Sequence, residues 1–293
     1  MRWFLSPNWS GTAALSALLA FWGPSGAAGK VYWTNNNNGT IGRASNKGAA
    51  VNETFIPSTT GGAVGGAGMT VNNEFIYWTS ANGGTARKIR RANLDGTGVV
   101  GNFIRGAHNP CGVTVDSTHI YWSGDGGDSI GRANLDGTGV NQNFIFTGTV
   151  PANGVCGVVV TPTHIYWANY RANSIGLARL DGTHVNPNFI PTFGAGSLAI
   201  EGEFIYWPNS ANGSIGRANI NGTGVIQNLV TGLNGEVGFL AVDSAHIYWT
   251  DLGEPLYTGI TIGRANLDGT GVNQTFVTGT HGGFGIAVTG GSP

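Results

Sequence analysis

An Ile-Tyr-Trp triplet recurs at residues 76–78, 120–122, 165–167, 205–207 and 247–249, with Val31-Tyr32-Trp33 as an altered first copy. The six tryptophans fall at 33, 78, 122, 167, 207 and 249, spacings of 45, 44, 45, 40 and 42, and beyond residue 29 no tryptophan lies outside the repeat. A unit of that size cannot bury its own apolar face and must stack on a neighbour, and the period matches a four-stranded propeller blade. A repeat array is one cooperative unit whatever its length, so residues 29–293 are expected to form one domain.

The third unit shows the internal order of a blade. Gly112 to Asp116 is a short β-branched run, Ser117-Thr118 turns the chain, and His119 to Trp122 runs back. A glycine-rich loop follows at 124–128, then a third run from Ile130 to Leu135, a hairpin turn at Asp136-Gly137-Thr138-Gly139, and a fourth run from Gln142 to Phe146. Along the second strand Ile and Trp point to one face and Tyr to the other. Both faces are therefore apolar, as a blade between two neighbours requires. At the start, Lys30 to Trp33 reads as a second strand with no first strand before it; near the end, Gly285 to Thr289 reads as a first strand with no second after it. The late strand is expected to complete the early blade, giving an all-β, six-bladed propeller of four-stranded antiparallel blades.

Ile247-Tyr248-Trp249-Thr250-Asp251, followed by Ile262-Gly263-Arg264-Ala265-Asn266-Leu267-Asp268-Gly269-Thr270, resembles the YWTD repeat of the low-density lipoprotein receptor family. That resemblance covers essentially all of residues 29–293 and implies a six-bladed propeller used outside the cell to hold protein ligands or to control their release. The motif's Asp survives only at Asp251, being replaced by Asn35, Ser80, Gly124, Asn169 and Asn209, and no cysteine-rich or growth-factor-like module accompanies the repeats. The expectation is a stand-alone, secreted relative of bacterial type.

Export is also read from the N-terminus. Arg2, an apolar run from Ala13 to Trp22, a Gly23-Pro24 break and the small residues Ser25 to Ala28 have the order of a secretory signal over residues 1–28, with a buried helix as the alternative. The apolar run is too short to anchor the chain across a bilayer, and no later segment is suited to span one. The expected location is extracellular or periplasmic. A formal charge of -1, with 10% charged residues, supplies no field for a phosphate backbone, so nucleic acid is not an expected partner. Cys111 and Cys156 stand at equivalent places in consecutive repeats, each one residue before the Gly expected to open a strand. In an exported chain this favours a disulfide, with two free thiols as the alternative.

Some chemistry-bearing residues belong to the scaffold. Arg43, Arg91, Arg132, Arg217 and Arg264 share one position on the third strand, where Leu177 stands in the remaining unit, and are assigned to packing and inter-blade hydrogen bonds. Asp95, Asp136, Asp181 and Asp268 precede Gly in hairpin turns. His119, His164 and His246 alternate with Phe75 and Phe204, so that position calls for a flat ring.

Residues outside the repeat collect on one face, where the second-to-third loops and the blade-to-blade loops vary in length and content. The second-to-third loops carry Tyr170, Arg171, Asp125, Asp128, Asp251, Glu254 and Tyr257, and the blade-to-blade loops add His108, Asn109, Glu236 and His281. Tyr and Arg are favoured contact residues, and a Tyr ring stacks on sugars. The residues expected to bind an extracellular protein or glycan are therefore Tyr170, Arg171, Asp251, Glu254, Tyr257, Asp125, Asp128, His108 and His281, with 251–261 as the longest recognition loop. Calcium is a further reading for Asp125-Gly126-Gly127-Asp128-Ser129, which offers hard oxygen ligands without the glutamate of an EF-hand. An enzyme is the alternative: a gluconolactonase-like or streptogramin-lyase-like hydrolase or lyase, with His108 and His281 in a loop-built, metal-dependent site. A purely structural, surface-layer role is a third possibility.

Overall fold

The structure is a computed structural model that describes residues 29–58, 68–80, 88–107, 109–124, 128–148, 154–253 and 261–290. The segment expected to be a signal, 1–28, lies outside these residues. Among the described residues twenty-four strands form six four-stranded antiparallel sheets, a six-bladed β-propeller. Blade 1 takes its innermost strand, Gly283–Val288, from near the C-terminus and continues with Lys30–Asn35, Thr40–Ser45 and Asn52–Ile56. Val288, Ala287 and Ile286 pair with Val31, Tyr32 and Trp33, so the ring closes as the unmatched end strands predict. In blade 3 the strands are Pro110–Val115, His119–Gly124, Ser129–Asn134 and Asn141–Phe146, displaced by one or two residues from the sequence reading.

Among the described residues six apolar clusters hold the ring together; five lie between two consecutive blades, and the sixth, at the closing boundary, also takes in the cysteines of blades 3 and 4. Tyr32, Ile41 and Ile56 of blade 1 pack with Ile76, Trp78 and Ala92 of blade 2. The same grouping repeats around the ring, with Tyr77 against Trp122, Tyr121 against Trp167, Tyr166 against Trp207 and Tyr206 against Trp249. At the sixth boundary Tyr248, Ile262 and Val277 meet Val31, Trp33 and Ile286, joining both ends of the chain in one core. Each tryptophan of the repeat is at most 2% exposed. An aromatic of that size removes on the order of 200 Å² from water, worth roughly 5 kcal/mol as an upper figure.

Polar bonds cross the same boundaries. Within their own blades the guanidinium groups of Arg43, Arg132 and Arg264 stack on Phe55, Phe144 and Phe276, which aims them at the boundary. Arg91, Arg217 and Arg264 also donate from Nη1 to the carbonyls of Leu135, Leu267 and Asn46 in the next blade. In blade 4, where Leu177 replaces the arginine, the hydroxyl of Tyr166 donates to the Ile220 carbonyl of blade 5 at 3.0 Å, as that of Tyr32 does to the Leu94 carbonyl of blade 2 at 3.5 Å. A boundary that loses its arginine thus keeps a hydrogen bond. The histidines at the head of the second strand lean on the tyrosine two residues on, as a flat ring would.

The axis of the ring is filled. Cys111 and Cys156, from the first strands of blades 3 and 4, are bonded to each other with Cα atoms 4.9 Å apart. They lie within Pro110–Val115 and Val155–Val160 and do not precede the strands, because adjacent first strands run side by side near the axis. The same cluster contains Phe239 of blade 6 and Phe284 of blade 1, whose ring centroids are 5.3 Å apart. Side chains from four blades therefore plug the centre.

The turns joining first to second strands are held by short acceptors. Burial pushes the Asp116 carboxyl upward, but hydrogen bonds from the Thr118 and His119 N–H groups and from the Tyr121 and Thr118 hydroxyls outweigh it and hold the group below its usual value. A depressed carboxyl stabilises the fold above its unfolded value of about 4, and that contribution disappears as pH falls through the folded value. Chemical denaturation from about pH 5 to 2 should therefore show a steeper loss of stability in the natural protein than in Asp116→Asn. Equal slopes would show that the bonded carboxylate contributes nothing.

Candidate functional site

One depression on the variable face brings loops of three blades together. It measures about 450 Å³ and is lined by Tyr170, Arg171 and Asn173 of blade 4, Ser210 and Ala211 of blade 5, Gly194 of the connection between them, and Glu236 of the connection to blade 6. Of the residues predicted from sequence to bind, Tyr170 and Arg171 meet here, together with Glu236 from the same predicted face.

The floor of this site follows from the motif's changed residue. Asn169 ends the second strand of blade 4, fully buried, where the YWTD motif has Asp. Its Nδ2 donates to Ser174 Oγ at 3.2 Å and to the Pro187 carbonyl at 2.8 Å. A carboxylate has no proton to donate there. Asn35 makes the same bonds in blade 1, to Thr40 Oγ1 and the Glu53 carbonyl. Tyr170 then leaves the strand, its N–H donating to the Gly154 carbonyl at 3.3 Å. The loop closes at Asn173, which has a φ of 54° and accepts a backbone bond from Thr192.

The neighbouring connection is fixed from blade 5. Asn209 Oδ1 accepts from the Phe193 N–H at 3.0 Å, and the Ala211 N–H donates to the Phe193 carbonyl. Gly194, at a φ of 81°, then turns the chain beneath the Tyr170 ring. A Cβ placed on Gly194 or on Gly196 would stand 3.7 Å from the ring's edge. One edge of the tyrosine therefore rests on bare backbone while 42% of the residue remains exposed.

The other predicted binding residues do not converge on this depression. Asp251 accepts from the Gly253 N–H at 2.8 Å and from Thr261 Oγ1 at 3.3 Å, holding the ends of its own loop. It also lines a cavity of about 10 Å³, shared with Glu236, large enough for one water. Asp128 accepts a backbone bond from Thr147, and one of its carboxylate oxygens is buried. His281 belongs to blade 1, where its N–H donates to Asn35 Oδ1 and its Nδ1 lies 3.7 Å from Glu53 Oε2. His108, Asp125, Glu254 and Tyr257 lie outside the described residues. Among the described residues no three His, Cys, Asp or Glu side chains are grouped to hold a metal ion.

Three residues that matter here escaped the sequence reading. Phe193, 48% exposed beside the depression and two residues past its fourth strand, and Phe146, 64% exposed at the end of its own, are off-repeat aromatics on the same face. Glu53 accepts from Trp33 Nε1 and Asn35 Nδ2, at 3.2 and 3.1 Å. A carboxylate among positions that elsewhere hold Gln142, Gln227 and Gln274 was the signal for it.

No protein-family model matches the chain, and no curated protein matches it significantly. Solved structures do resemble it. A chain of the nidogen/laminin complex superposes with a TM-score of 0.69 at 18% identity, over 89% of this chain and 98% of that one. A gluconolactonase from Xanthomonas campestris gives 0.58 at 14% identity, covering 73% and 77% of the two chains. Virginiamycin B lyase from Staphylococcus aureus gives 0.54 at 20%, covering 75% and 73%. At these identities the likeness is one of fold, consistent with the YWTD-type six-bladed architecture.

The buried amide bonds make Asn169→Asp the informative change at this site. It replaces two donated bonds with a buried carboxylate facing acceptors and should cost about 3 kcal/mol in urea denaturation. A cost under about 0.5 kcal/mol would mean that the amide donors do not hold the loop.

Proposed function

We propose that this chain is a secreted, non-catalytic binding module that recognises an extracellular protein or glycan through the variable face of the propeller. The observation that carries this reading is the depression where Tyr170, Arg171 and Glu236 meet on loops fixed by buried hydrogen bonds. An exposed aromatic that is already immobilised loses little entropy on binding, which is where contact energy concentrates. A chain of the nidogen/laminin complex shares this fold, which supports protein binding as one use of it. The Cys111–Cys156 bond supports an oxidising compartment, and the apolar segment before residue 29 supports export.

The alternative is a hydrolase or lyase of the gluconolactonase or streptogramin-lyase kind, favoured by the fold likeness and by the half-exposed His281 beside Glu53. The packed axis favours binding, because side chains occupy the centre where a substrate channel would run. Surface binding assays against secreted proteins and wall glycans of the producing organism decide between them. Tyr170→Ala and Arg171→Ala should each weaken retention at least about fivefold with unchanged melting temperature. Retention indifferent to both changes, together with lactone or ester turnover that His281→Ala abolishes, would overturn the proposal in favour of the enzyme.

A further inference from the structure

Resting on the binding reading above, we infer that the depression of blades 4 and 5 is a carbohydrate subsite, in which a pyranose ring lies on Tyr170 and its hydroxyls meet Arg171 and Glu236. Three features select a sugar. The first is the aromatic platform. Tyr170 is 42% exposed, and one edge of its ring faces the backbone at Gly194 and Gly196, so the ring is held open to solvent. The axial C–H groups of a pyranose present an apolar patch that suits such a ring, while every other edge of the sugar is a hydroxyl.

The second feature is the pairing of charges around the ring. Arg171 brings only donors and Glu236 brings acceptors, and both line the depression that Tyr170 lines. Adjacent sugar hydroxyls are each donor and acceptor, and they match a guanidinium and a carboxylate at once. A cationic or anionic peptide would satisfy one of the two and meet like charge at the other. Asn173 and Ser210 add two further neutral groups of mixed character on the same wall.

The third feature is size. About 450 Å³ lies within the range of small-molecule sites, yet the hollow is shallow and its remaining lining is Gly194 and Ala211. Nothing in that lining forms the deep apolar pocket that anchors a protein hot spot. A short stretch of glycan laid across the loops of blades 4 and 5 fills the hollow without one.

The test is binding of the full folded chain to a printed array of plant, animal and microbial oligosaccharides, followed by titration calorimetry on the best ligand. The expected result is a hit that Tyr170→Ala weakens about tenfold or more. Tyr170→Phe retains binding within about threefold, because the ring is what the sugar uses. Glu236→Gln, which keeps an acceptor but removes the charge, weakens it by a smaller factor than Glu236→Ala. Melting temperatures of all variants verify folding. An array with no hit overturns the inference, as does a hit indifferent to Tyr170→Ala. If the array is blank while Tyr170→Ala still abolishes capture of a secreted protein, the carbohydrate assignment falls and the binding face stands. If neither depends on Tyr170, both fall.

Discussion

Five of the six blades depend on an indole laid flat against a glycine. Trp33, Trp122, Trp167, Trp207 and Trp249 each pair across the sheet with a glycine of the third strand: Gly42, Gly131, Gly176, Gly216 and Gly263. A methyl group on any of these glycines would overlap the Cε2, Nε1 and Cζ2 atoms of its tryptophan. Glycine in the middle of a strand normally weakens it; here it lets the ring cover the backbone and reach the fourth strand. Trp33 bonds Glu53 and Trp122 bonds Gln142 in this way. Blade 2 reverses the arrangement: Arg90 faces Trp78, and the fourth strand supplies the glycine, Gly101, leaving 3.2 Å between a Cβ there and the guanidinium. Burial lowers the pKa of that arginine.

Flat tryptophans make thin blades, and thin blades let the tyrosine of one reach the tryptophan of the next. The polar bonds then set the register between blades. In blade 4, where Leu177 stands for the arginine, Tyr166 supplies the bond to the following blade, as Tyr32 does from blade 1. The same blade has Pro187 where blade 3 has Gln142, and the Nε1 of Trp167 is buried without a partner. The blade that departs furthest from the repeat in its polar bonds is the one that presents Tyr170 and Arg171. A rigid core stabilised by six similar interfaces leaves room for such departures on one face.

The period of Ile-Tyr-Trp made the blade count and the closing strand legible, because each copy repeats a packing requirement and not merely a composition. The arginines and turn aspartates were legible for the same reason. Tyr170 and Arg171 stood out by being off the repeat. What stayed hidden was the company they keep: Gly194, Ser210 and Glu236 come from three separate connections, and no spacing along the chain links them to Tyr170. The change from Asp to Asn at Asn169 is in sequence only a departure from the motif; in the fold its amide protons bond the Pro187 carbonyl and Ser174 hydroxyl. Strand ends shifted by a residue or two, because hydrogen bonding continues past the last β-branched side chain. Cys111 and Cys156 therefore fell inside strands.

A double-mutant cycle in blade 4 tests the ring-on-glycine constraint most directly. Gly176→Ala is measured by urea denaturation in the natural protein and in a Trp167→Phe background, where the single ring lacks the Nε1 and Cζ2 atoms that cover the glycine. The methyl is expected to cost about 1–3 kcal/mol beside Trp167. In the Trp167→Phe background it should cost markedly less, a coupling above about 1 kcal/mol. Costs that agree in the two backgrounds within about 0.5 kcal/mol would contradict the constraint.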